Sequence, residues 1–135
     1  MIKKIFIFLV LTILFSSLIS AVTLNQIKSL TLLSVSEAEN ETYVGHTAKL
    51  YLQIRPGGGA IFIESYPLSK MDTQLSAKIA NDVACSLTNI DCSKYDFFYT
   101  IRADAPIVGG PSGGSAITLL TLAMLEEVPV SEEIA

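Results

Sequence analysis

The sequence predicts an α+β domain, a β-hairpin sheet with two packing helices, and three observations lead there. Residues 46–55 and 60–65 alternate apolar and polar side chains on either side of a Pro-Gly-Gly-Gly turn. Residues 72–87 repeat apolar side chains at helical spacing. Residues 112–127 form a second, almost wholly apolar helix after a glycine-rich loop.

The elements follow in order. Ser29–Ser36 (SLTLLSVS) reads as a first strand, followed by a polar stretch from Glu37 to Thr42. His46–Arg55 places Ala48, Leu50, Leu52 and Ile54 on one side and Lys49, Tyr51, Gln53 and Arg55 on the other. Pro56 to Gly59 turns the chain, and Ala60–Ser65 (AIFIES) returns as its hairpin partner. Asp72 is expected to cap a helix running to about Leu87, with Leu75, Ile79 and Val83 as its inward stripe, widened by Ala80, Ala84 and Leu87. Asp96–Arg102 (DFFYTIR) is a strand, Ala103–Gly110 a loop, and a long helix opens at about Ser112 and runs to Glu127. That last helix is apolar on nearly all sides and calls for burial on more than one face, so exposed apolar surface and self-association into a homo-oligomer are expected.

Composition narrows the function. The chain has 135 residues, half of them hydrophobic, too apolar for disorder and too short for two ordinary domains. Nine Lys+Arg against thirteen Asp+Glu leave a net charge of −4, and two of the basic residues, Lys3 and Lys4, open the chain. A nucleic-acid-binding face is therefore not expected. Two cysteines are too few for a disulfide scaffold or a four-ligand zinc site, and the single histidine, His46, excludes His-rich metal centres. No metal or cofactor is expected. Chemistry must come from hydroxyls, carboxylates, lysines and backbone geometry.

The first residues read as targeting. A basic start at Lys3-Lys4 precedes the apolar run Ile5–Phe15 and small or polar residues at Ser16, Ser17, Ser20 and Ala21. No charge lies between Lys4 and Lys28, so the segment suits either a cleaved secretory signal or an uncleaved anchor. Residues 1–21 are assigned this role, residues 22–135 the N-terminal part of a larger domain, and the domain is expected outside the cytoplasm, secreted or anchored at a membrane. An oxidising compartment would allow Cys85 and Cys92 to close a small loop, with two free thiols as the other reading. Asn40-Glu41-Thr42 is a glycosylation sequon.

Chemistry concentrates in Gly109-Gly110-Pro111-Ser112-Gly113-Gly114-Ser115, between a strand and a helix. No Lys precedes the serine as a phosphate loop requires, and the glycine spacing does not suit a dinucleotide fold. What remains is a hydroxyl on a tight turn at a helix start, where unpaired N–H groups and the positive dipole end can stabilise an oxyanion. Ser112 then reads either as a nucleophile or as an ordinary helix cap.

This segment resembles the proteolytic domain of Lon-type proteases, whose nucleophile lies in Gly-Pro-Ser-Ala-Gly opening a helix. The resemblance covers about residues 45–135 and is strongest over Ala103–Glu127; the strand Asp96–Ala103 before the motif and Leu119-Leu120 and Pro129-Val130 after it keep the family's order. A secretory start without an ATPase module looks like the archaeal serine proteases that carry a Lon-like domain alone. The resemblance implies a serine endopeptidase acting on peptide or protein substrates, with Ser112 as nucleophile and backbone N–H groups at Gly110 and Gly113 around the oxyanion. Two positions depart from the pattern: Gly113 replaces the usual Ala, and Gly109 stands where an acidic residue often sits.

The family's base is a Lys several dozen residues beyond the serine. The 23 residues after Ser112 contain none. Lys28, Lys49, Lys70, Lys78 and Lys94 match no family position, and Lys49 and Lys78 fall on polar faces of their elements. A serine hydroxyl without a base is a weak nucleophile, so the 135-residue chain alone is expected to be nearly inactive. His46 is the other base the chain offers, although a histidine beside a turn is more simply a hydrogen-bonded surface residue. Asp104 reads as a capping or solvated carboxylate and Ser115 as a first-turn hydroxyl. The rival reading is a non-catalytic interaction domain that keeps the fold without the chemistry.

Overall fold

A computed structural model describes residues 26–38 and 42–131. The expectations for residues 1–21 and for the sequon at Asn40 lie outside these residues. Four strands form one sheet: β1 (Ile27–Ala38), β2 (Thr42–Pro56), β3 (Ile61–Ser69) and β4 (Tyr95–Val108). Two helices complete the domain, α1 (Met71–Leu87) between β3 and β4 and α2 (Gly113–Leu125) after β4. The class is α+β, as the periodicities predict.

The strand order is β1-β2-β4-β3. β1 and β2 form an antiparallel hairpin with Leu30 opposite Leu50, and β2 pairs antiparallel with β4, Leu50 opposite Ile101. β3 runs parallel to β4, Ile61 opposite Phe97, with a register shift between Tyr66 and Leu68. Pro67 stands at that shift, where a residue without an N–H interrupts the ladder least.

The hairpin expected from residues 46–55 and 60–65 is therefore not formed, because β4 lies between the two strands. The glycine-rich segment crosses the start of β4 instead of reversing on itself. Gly57 N–H donates to Lys94 O at 2.8 Å and Gly59 N–H to Tyr95 O at 3.1 Å. The Asp96 carboxylate accepts from Gly58 N–H at 2.8 Å and Ala60 N–H at 2.9 Å. Gly57 packs so closely on that carboxylate that a Cβ would overlap it. These backbone bonds draw the Asp96 carboxyl below its usual range, Ala60 contributing most and Gly58 next. A parallel partner needs a crossover, and α1 supplies it.

The hydrophobic core fills one side of the sheet. Leu50, Leu52 and Ile54 of β2 and Phe97, Tyr99 and Ile101 of β4 pack against Ala77 and Ala80 of α1 and Ile117, Leu120 and Met124 of α2. A buried hydroxyl–amide chain joins three elements. Thr121 Oγ1 donates to Ile117 O at 2.7 Å, Tyr99 OH lies 2.7 Å from Thr121 Oγ1, and Asn81 Nδ2 donates to Tyr99 OH at 2.9 Å. With one proton per hydroxyl, Tyr99 must donate to Thr121 and accept from Asn81. Burial raises the Tyr99 phenol above its usual range, opposed by these hydrogen bonds.

The structure corrects α1. Its buried residues are Thr73, Ala77, Ala80, Asn81 and Ala84, while Leu75, Ile79 and Val83, the expected inward stripe, are 58%, 53% and 42% exposed. The small face packs because α2 crosses closely, and alanines permit that approach where Leu or Ile would hold the helices apart. Asp72 is not the cap; the N-cap position is Lys70, without a side-chain capping bond, and Asp72 stands in the first turn. The expected loop from Ala103 is strand as far as Val108. Cys85 and Cys92 are bridged, their Cα atoms 6.0 Å apart, fixing the end of α1 to the short 3-10 turn Cys92–Lys94 before β4.

Candidate functional site

The site begins where β4 ends. Gly109 and Gly110 leave the strand, Pro111 and Ser112 turn, and α2 starts at Gly113. Gly110 has φ +112, a conformation open to glycine at little cost. A side chain there would also face Ser112 Oγ, at 3.8 Å from its Cβ. Gly114 N–H is bonded to Pro111 O at 3.0 Å.

Ser112 is exposed and holds the N-cap position, but with αR dihedrals (φ −61, ψ −25) and no side-chain capping bond. Its carbonyl accepts Ser115 Oγ–H at 3.3 Å, giving Ser115 the first-turn role expected of it. An N-cap serine normally turns its oxygen onto the N–H of the second or third helical residue, from an extended backbone. Ser112 does neither, so its hydroxyl is not committed to the cap.

Beside it lies a cleft of about 280 Å³ between the start of α2 and the β1–β2–β4 face, lined by Ser112, Gly110 and Gly113 at one end. Leu32, Leu50, Ile101 and Ile117 supply its apolar walls. The first N–H groups of α2 have no intrahelical acceptor and sit at the positive end of the helix dipole. Gly113, half-buried, carries one of them. Gly110 differs: its N–H donates to Asp72 Oδ2 at 3.2 Å.

The first turn of α1 therefore holds the serine loop, a role with no sequence signal, since Asp72 and Gly110 are 38 residues apart. Asp72 Oδ1 also accepts Thr73 N–H at 2.7 Å. Lys70 N–H donates to Val108 O at 2.9 Å, and the Lys70 side chain packs over Gly109, where a Cβ would overlap its stem. Gly109 is thus a close-approach position against the Lys70 stem.

His46 lies opposite Ser34 in the β1–β2 hairpin and lines a hollow shared with Asp104. Leu33 and Ser34 border both this hollow and the Ser112 cleft. The other end of α2 is tied to the start of β1 by Lys28 Nζ, which donates to Ala123 O at 2.7 Å. His46 thus belongs to the same end of the sheet as Ser112. Lys49 and Lys78 are exposed on their elements, as their patterns predict. Lys94 pairs at the surface with Asp91 at 3.2 Å, just before β4 and so a whole strand away from the loop.

Among the described residues no group of three or more His, Cys, Asp or Glu side chains could hold a metal. Among the same residues no helix is long and apolar enough to cross a membrane. No protein-family model matches the sequence, and no curated protein matches it either.

Proposed function

We propose that the chain is part of a Lon-type serine endopeptidase with Ser112 as nucleophile. The observation that carries this reading is the Ser112 hydroxyl, uncommitted to the helix cap and set at the mouth of an apolar cleft. In the reaction, Ser112 Oγ attacks the peptide carbonyl carbon as a base takes its proton. The resulting oxyanion faces the N–H groups at the start of α2, Gly113 among them. The tetrahedral intermediate collapses, the amine leaves with a proton, and water releases the acyl group from Ser112. The resemblance implies a lysine several dozen residues after the serine as that base, and residues 113–135 contain no lysine. A lysine serves as base only where burial disfavours its charged form, and Lys70, whose stem packs over Gly109, is exposed.

Peptide hydrolysis by three proteins tests this: residues 22–135, the chain continued along its gene to the expected lysine, and that longer chain with Ser112→Ala. The first is expected to be nearly inactive, the second active, and the third reduced by roughly three or more orders of magnitude. Full activity in the Ser112→Ala protein would show that another residue is the nucleophile. Equal activity in the short and long chains would place the base within residues 22–135, with His46 the first residue to substitute.

A second reading, a secreted or anchored interaction domain without catalysis, is favoured by one feature. Met71, Leu75, Ile79, Val83 and Leu87 form an exposed apolar row at every fourth position of α1. Inactivity of all three proteins together with concentration-dependent association would support it.

A further inference from the structure

We propose that Asp72 is a positioning residue for Ser112, fixing the loop in front of the serine through the Gly110 N–H. This rests on the protease reading for its chemical consequence, but its geometry stands without it. Gly109 and Gly110 are the joint between a strand and a helix, and Gly110 adopts φ +112. Two adjacent glycines leave such a joint many conformations, so something must select one.

The selection comes from the first turn of α1 at consecutive positions. Lys70 N–H fastens Val108 O at 2.9 Å, the Lys70 stem covers Gly109, and Asp72 Oδ2 takes Gly110 N–H at 3.2 Å. The carboxylate is itself aimed, because its other oxygen accepts Thr73 N–H at 2.7 Å and lies 3.4 Å from Thr73 Oγ1. Thr73 is buried and lines the cleft that Ser112 borders, so the aim is set from inside the fold. Hydrogen bonds to an ionised carboxylate are roughly twice as strong as neutral ones. Asp72 also stands at the positive end of α1, where a negative charge is favoured.

The same contact assigns the oxyanion donors. Gly110 N–H is occupied by a carboxylate, so it orders the loop and does not meet the substrate. Oxyanion stabilisation then belongs to the first N–H groups of α2, with Gly113 and not Gly110 as the working donor.

Amide hydrogen exchange at Gly110, followed by NMR in the 135-residue chain, tests this directly. Asp72→Ala is expected to speed Gly110 exchange about tenfold, while the buried Tyr99 amide keeps its protection and reports an intact fold. Asp72→Asn keeps one acceptor oxygen where Asp72 uses two, on Thr73 N–H and on Gly110 N–H, so it is expected to recover the protection only in part. Labelling of Ser112 by a fluorophosphonate in the lysine-bearing longer protein is expected to fall about tenfold in Asp72→Ala and by less in Asp72→Asn. Unchanged Gly110 exchange in Asp72→Ala with Tyr99 protected would overturn the proposal. Faster labelling in Asp72→Ala would also overturn it, by showing that the carboxylate blocks the site instead of ordering it. Absence of labelling in every protein would contradict the protease reading alone, and the exchange rates would still decide whether Asp72 holds the loop.

Discussion

Single residues carry the precision of this fold. Asp96 accepts two loop N–H groups, and its carboxyl is held below the usual range by Ala60 and Gly58. The folded form therefore releases its proton more readily than the unfolded chain. The stabilisation is complete above the ordinary carboxylate range and is lost as pH falls through the depressed value. Denaturant titrations at about pH 6 and about pH 2.5 should show a larger acid loss for the wild type than for Asp96→Asn. Equal losses would mean that the loop does not depend on this charge. Tyr99 offers a second measurement. Tyr99→Phe leaves Asn81 Nδ2 without its buried acceptor and should cost about 1–3 kcal/mol in denaturant unfolding. By contrast, Arg102–Glu64 and Lys94–Asp91 are exposed pairs, and their removal should change stability little. Neither the Asp96 clasp nor the Asp72 clasp was legible in the sequence, because each joins residues more than thirty-five positions apart through backbone groups. Ser112 was legible, because glycine, proline and a helix start mark its backbone locally.

At the scale of elements, periodicity located the strands and helices but did not identify their neighbours. An alternating strand declares which side is apolar, not which strand lies beside it. Residues 46–55 and 60–65 both lie in strands, yet β4 separates them, because α1 carries the chain across to a β4 that runs parallel to β3. The helical stripe misled for a related reason. Spacing alone puts Leu75, Ile79 and Val83 inward beside Ala80 and Ala84, whereas close contact with α2 keeps the alanines inside and leaves the larger side chains outside. That row should mediate association: Leu75→Lys with Ile79→Lys is expected to lower the apparent mass in light scattering while leaving the unfolding midpoint nearly unchanged. A monodisperse wild-type monomer would remove the case for this surface. The Cys85–Cys92 bridge closes a short loop at the end of α1. By the chain-entropy argument its reduction should cost about 2.5 kcal/mol, readable as a lower denaturation midpoint in reducing buffer. No change in midpoint would argue that the loop is held by packing alone.

For the whole molecule, the sheet and two helices make a platform whose open end gathers the Ser112 loop, the apolar cleft and His46. The helix dipole, the glycine joint and the α1 clasp meet at the Ser112 loop, and the proposed nucleophile rests on that arrangement. The proposed reaction needs an amine to take the proton, and residues 113–135 contain no lysine. The most direct measurement is intact-protein and peptide mass spectrometry after fluorophosphonate treatment of the lysine-bearing longer protein. The account predicts a single phosphonyl adduct on the peptide containing Ser112, absent in Ser112→Ala and much slower in the 135-residue chain. An adduct on another residue, or none while peptides are still cleaved, would contradict it.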